Sequence, residues 1–155
     1  ALANEDYRTF ETHLFILDPD LNLENDDSSL KEYIGKRKII NFKVNNPMSN
    51  VFILPGNTSI EKMMWEYVNN LDGEHELFDD TYLSNAGINP RTIKSMSIRQ
   101  DGDKNFYKHW FKDNSNYIEY FMKYWINDHS NEVKKFCHIL KKSYDRIINS
   151  LGDNS

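Results

Sequence analysis

From Ile60 the apolar residues recur at helical spacing: Ile60, Met63, Met64, Tyr67, Val68 and Leu71 fall on one face. Thr58 and Glu61 stand in the Thr-x-x-Glu arrangement of a capping box, and Gly73 follows the last apolar position, so a helix is predicted over about 59–71. Thr81 to Asn85 reads as a short helix ending at Gly87. Asn89-Pro90 is a cap followed by a first-turn proline and opens a helix over 91–98. Asp103 can cap a short helix carrying Phe106, Tyr107, Trp110 and Phe111. Ser115 caps a helix over 116–127 whose apolar residues cover nearly its whole circumference, which demands burial by the core or by a partner. The last helix starts at Ser130, carries the stripe Val133, Phe136, Cys137, Leu140, Tyr144, Ile147, Ile148 and Leu151, and stops at Gly152.

The first third patterns differently. Residues 9–17 alternate loosely and predict a strand, while 18–29 are acidic and aperiodic and predict a surface loop. Ile40, Phe42 and Val44 alternate with Asn41 and Lys43. The apolar run Val51–Leu54 follows a turn-rich connection through Asn45, Asn46 and Pro47, so residues 38–54 are predicted to form a β-hairpin. Strands first and helices afterwards predict an α+β fold in one domain spanning 1–155. The expected architecture is a small antiparallel sheet, made of the N-terminal strand and the hairpin, packed by the 59–71 helix with a helical C-terminal half. Residues 1–8 and 153–155 are expected to fray.

Composition changes this picture in two ways. Aromatic residues make up 14% of the chain, enough to build a core although charged residues make up 28%. The net charge of -5 opposes general affinity for phosphate backbones, so nucleic acid is a disfavoured partner. No run of apolar residues is long enough to span a bilayer, and no secretory signal is visible at the start. Cys137 is the single cysteine, which rules out an internal disulfide and points to a reducing compartment, cytoplasmic or nuclear.

Catalytic signatures are missing. His13, His75, His109, His129 and His138 lie on different predicted elements with no zinc-binding spacing, so no metal and no cofactor is expected. Cys137 and His138 are helix neighbours pointing about 100° apart and cannot pair as nucleophile and base. Cys137, on the apolar stripe, is expected to be an inert core thiol. Asp18, Asp20 and Asn22 have the opening spacing of a calcium loop, but Leu23 stands where glycine is needed and Ser29 where a bidentate glutamate is needed.

Two segments have family resemblances. Residues 81–96, TYLSNAGINPRTIKSM, resemble a helix-turn-helix, with Gly87 at the turn and Ile93 packing the second helix back. The resemblance implies phosphate or base contacts from Arg91, Lys94 and Arg99. Leu83 departs from it, standing where a small residue lets the helices approach. The order hairpin then helix over 38–71 resembles the opening ββα of ubiquitin-like folds, Ras-association modules among them. In those modules basic residues of the first strands meet an acidic partner, a role that Arg37, Lys38 and Lys43 match by position.

Trp65 falls off the apolar stripe of its helix, beside Glu61, Lys62 and Asn69, where it either packs on a neighbouring loop or stands exposed as an anchor. Tyr120 and Trp125 belong to the surplus apolar circumference of the 116–127 helix. The leading expectation is therefore a non-catalytic protein–protein interaction domain. Its partner surface would comprise Arg37, Lys38, Lys43, Trp65, Tyr120 and Trp125, facing an acidic protein, with homo-oligomerisation left open. The alternatives are a helix-turn-helix nucleic-acid domain using 81–99 and an enzyme with a dispersed carboxylate site.

Overall fold

The computed structural model describes residues 12–20, 44–99 and 105–153. In chain order the described elements are β1 (Phe15–Leu17), β2 (Val51–Ile53), α1 (Ile60–Asn70), a 3-10 turn (Glu76–Asp79), α2 (Thr81–Asn85), α3 (Pro90–Arg99), α4 (Phe106–Asp113), α5 (Ser115–Asp128) and α6 (Ser130–Gly152). They gather into two compact units, Ala1–Gly56 with Asn131–Ser155, and Asn57–Ser130.

The expected α+β fold with an antiparallel sheet and hairpin is overturned. The described chain is mostly helical, and its one sheet is a parallel pair with Phe15 opposite Val51, Ile16 opposite Phe52 and Leu17 opposite Ile53. The supposed first hairpin strand, 38–43, lies outside the described residues, as do positions 9–11 of the N-terminal strand and most of the 18–29 loop. Val44 lies in a turn.

The reason is visible on the free edge of β2. The Val51 N–H donates to Ser49 Oγ, the Val51 carbonyl accepts from the Asn45 N–H, and the Ile53 N–H donates to Asn45 Oδ1. Asn45, at φ +52°, bends the chain so that its own backbone and amide occupy the groups a hairpin partner would have used. The other edge pairs with β1 through Phe15 N–H to the Asn50 carbonyl and Leu54 N–H to the Leu17 carbonyl. Val51 and Phe52 are both fully buried, as befits a strand covered on both faces.

In this unit α6 clamps the 46–50 loop. Ser143 Oγ is 2.9 Å from the Pro47 carbonyl and 3.1 Å from that of Asn46. Arg146 donates through Nη2 to Asn50 Oδ1 at 2.6 Å and to the Ser49 carbonyl at 3.1 Å. Phe136 meets Phe52 edge to face at 6.0 Å. Cys137, expected in the core, is an exposed free thiol.

The other unit holds α1 to α5 around Met64, Val68, Leu77, Leu83, Ile93 and Phe121. The α1 cap differs from the expected box: Ser59 is the N-cap residue with no side-chain cap bond, and Thr58 Oγ1 instead donates to the Ser59 carbonyl. The α1 C-terminus leaves through Leu71 in extended backbone, without a left-handed glycine, and a side chain added at Gly73 would come up against the Pro90 ring. Asp80 caps α2 through the Tyr82 and Leu83 N–H groups. The Asn89-Pro90 start of α3 stands as expected: Asn89 Oδ1 accepts from the Thr92 N–H while Thr92 Oγ1 accepts from the Asn89 N–H. Asn105 caps α4, and the expected cap Asp103 lies outside the described residues.

Candidate functional site

Two places in the Asn57–Ser130 unit gather chemistry. The first is a polar network where the end of α5 meets the 3-10 turn. Asp128 Oδ2 accepts from the Tyr67 hydroxyl at 2.6 Å and from His75 Nε2 at 2.9 Å. His75 Nδ1 in turn accepts the Leu77 N–H at 3.1 Å, so the ring proton sits on Nε2. One turn earlier, the Tyr124 hydroxyl donates to Asp80 Oδ2 at 2.8 Å, and the Asn127 amide donates to Glu76.

The electrostatics follow from these bonds. The Tyr67 hydrogen bond outweighs burial and, with His75, holds the Asp128 carboxyl below the ordinary aspartate range. Burial opposes ionisation of Asp80, but the Leu83 and Tyr82 N–H groups and the Tyr124 hydroxyl overcome it and lower that carboxyl too. Burial and the Asp80 hydrogen bond push the Tyr124 phenol up to about 12, and burial with Asp128 raises Tyr67 as well. Each carboxylate is thus held ionised, each phenol held protonated, and both ring nitrogens of His75 are engaged. The network fastens the 3-10 turn to α5.

The second place is an open groove of about 760 Å³ between the α2–α3 turn and the facing residues of α4 and α5. One wall is built by Gly87, at φ +79°, then Ile88, Asn89, Arg91, Thr92, Ser95 and Met96. A non-glycine residue would strain the turn at Gly87. Thr92 Oγ1 donates to the Gly87 carbonyl at 2.7 Å and braces that turn against α3. The opposite wall is Trp110, Asn114 and Tyr117. Asn114 closes the end of α4 by donating to the Trp110 carbonyl. Arg91 is the only charged side chain among the residues lining the groove, which include no carboxylate, histidine or cysteine.

A series of ring contacts runs from this groove into the core. Tyr120 stacks on Tyr82 at 4.4 Å, Tyr82 meets Tyr117 at 5.9 Å, and Tyr117 stacks on Trp110 at 5.9 Å. Trp110 then meets Trp65 at 5.6 Å, and Trp65 meets Phe106 at 5.0 Å. Tyr82 is the exposed member. Its hydroxyl accepts a bond from the Asn116 amide at 2.6 Å.

The residues singled out by sequence fall into four groups. Trp65 and Trp125 are each only 8% exposed: Trp65 is packed by Phe106 and Trp110, and Trp125 by His129 stacked at 4.4 Å. Both indoles are thus largely enclosed by the chain. Tyr120, half-buried, sits at the outer end of the aromatic series, and Arg91 lies on the groove wall. Lys94 is exposed on α3, and Arg99 is the last residue of that helix. Arg37, Lys38 and Lys43 lie outside the described residues. Trp110, Tyr117 and Met96 also line the groove, and nothing in the local sequence pattern marks them, since Trp110 and Tyr117 belong to different helices.

Among the described residues, no group of three His, Cys, Asp or Glu side chains is placed to hold a metal ion, and no helix is long and apolar enough to cross a membrane. No family model matches the chain, and neither a curated protein nor a solved structure matches it.

Proposed function

We propose that this chain is a non-catalytic protein-interaction domain that takes an acidic, extended segment of a partner protein into the groove between the α2–α3 turn and the Trp110–Tyr117 wall. The observation that carries the reading is the groove's chemistry: two aromatic rings, a methionine, several neutral hydrogen-bonding side chains and one cation, Arg91. Aromatic and methionine surface supplies contact area with little loss of freedom, and Asn, Ser and Thr can meet a peptide backbone. A lone guanidinium selects a carboxylate. The carboxylates of the neighbouring network are lowered, not raised, which favours binding over acid–base chemistry. The partner surface therefore moves from the Trp65 flank to the groove, with Tyr120 at its aromatic border.

Selection of a random displayed-peptide library on the intact chain tests this. Acidic peptides are expected to be enriched, and Arg91→Glu is expected to abolish their retention while leaving the helical circular dichroism unchanged. Failure to enrich any peptide, or enrichment indifferent to Arg91→Glu, would sink the reading. So would salt-dependent retention of duplex DNA lost in the same variant, since it would assign Arg91 and Lys94 to a helix-turn-helix.

A further inference from the structure

Part of the apolar stripe of α6 is left exposed. Ser143 and Ile147 are buried, and they mark the inward side. On the flank beside them, Tyr144, Ile148 and Leu151 are 53%, 47% and 47% exposed, and Cys137 is exposed on that flank. Cys137, Tyr144 and Leu151 are spaced by sevens and form one row along the helix. Lys134, Lys141 and Ile148, also spaced by sevens, form the adjacent row. Both lysines are exposed. Lys141 reaches Asp145 at 3.2 Å, but the pair is exposed and weak, so the ammonium can be redirected to a partner at small cost.

Charge says what fits this face. The chain as a whole is at -5, yet this face carries Lys134 and Lys141 with Asp145 as the neighbouring acid, while Lys135, Lys142 and Arg146 lie on another side of α6, Arg146 engaged with the 46–50 loop. We infer that this face of α6 is a docking site for an acidic amphipathic helix of a partner protein, whose apolar seam covers Tyr144, Ile148 and Leu151 and whose glutamates or aspartates meet Lys134 and Lys141. Together the two rows have the alternating three–four spacing of a seam for a second helix, and Lys134 and Lys141 stand in it where carboxylates of the partner helix would meet them. A second copy of this chain fits less well, because it brings the same lysine row to the same seam. The site is separate from the groove and stands or falls independently of it.

The test uses the full chain and two labelled helical peptides of roughly three heptads with leucine at the seam positions, one flanked by glutamate and one by lysine. Fluorescence anisotropy should record binding of the glutamate peptide alone. Lys134→Glu with Lys141→Glu should weaken it at least about tenfold and admit the lysine peptide, about 1.4 kcal/mol or more in each direction. Tyr144→Asp with Ile148→Asp, both at exposed positions, should abolish binding of either peptide. Equal binding of the two peptides by the native chain, or binding unmoved by either double variant, would overturn the proposal. Concentration-dependent self-association in sedimentation that Ile148→Asp removes would also overturn it, since the face would then belong to a second copy.

Discussion

Tyr67 and Asp128 are joined by a 2.6 Å hydrogen bond across 61 residues of sequence, so the middle of α1 is tied to the end of α5. Because His75 shares the same carboxylate oxygen, the bond also holds the 3-10 turn that leads into α2 and the groove. Asp80 and Tyr124 repeat the device one turn away. Two carboxylates thus fasten the 3-10 turn and the start of α2 to α5.

Acid should loosen this arrangement. A carboxylate lowered in the folded chain binds its proton more weakly there than when unfolded, so its stabilisation is complete above the ordinary aspartate value of about 3.9 and is lost as pH falls through the lower folded value. Urea midpoints are expected to be level from about pH 6 to 5 and to fall below about pH 4. Asp80→Asn with Asp128→Asn should start less stable and show a shallower acid slope. Parallel slopes for the two proteins would exclude these two residues as the source.

Trp65 should be a core residue in every energetic sense. Removing an indole enclosed by Phe106 and Trp110 leaves a cavity, and Trp65→Ala is expected to cost about 3–5 kcal/mol in denaturant titration. A loss below about 0.5 kcal/mol, the range of an ordinary surface substitution, would return Trp65 to the surface role its polar sequence neighbours suggested.

Arg146 should matter to the 46–50 loop out of proportion to its position on a half-exposed helix. Its guanidinium satisfies the Ser49 carbonyl, the Asn50 side chain and, through Nε at 3.3 Å, the Pro47 carbonyl. Arg146→Met keeps the stem but removes these bonds, and a loss of about 1.5–3 kcal/mol is expected. Lysine has a single charged centre and should recover less than half of it. Full recovery by Arg146→Lys would mean that charge alone, and not the forked geometry, holds the loop.

Helices with strong local signals were legible before any coordinates. Asn89 and Thr92 cap α3 reciprocally, Ser130 and Gly152 bound α6, and Met64 and Val68 lie in the α1 stripe. What failed depended on distant partners. Val51–Ile53 reads as a strand in isolation, but its pairing was decided by Asn45 and Ser49 sealing one edge and β1 taking the other. The polar helix neighbours of Trp65 left both packing and exposure open, whereas the rings that enclose it arrive from α4. Gly73 had the right position for a helix terminator, yet the chain had already left α1 in extended backbone at Leu71. The groove was half-visible: Arg91 and Tyr120 were singled out for different functions, and only folding sets Arg91 opposite Trp110 and Tyr117, with Tyr120 beyond Tyr82.

An amide NMR titration of the intact chain with an acidic displayed-library peptide tests the binding account most directly. Shifts confined to residues 86–96 and 110–117, saturating with the peptide and absent in Arg91→Glu, are the predicted result. Saturating shifts centred instead on His75, Asp80 and Asp128, with the groove amides unmoved, would contradict it.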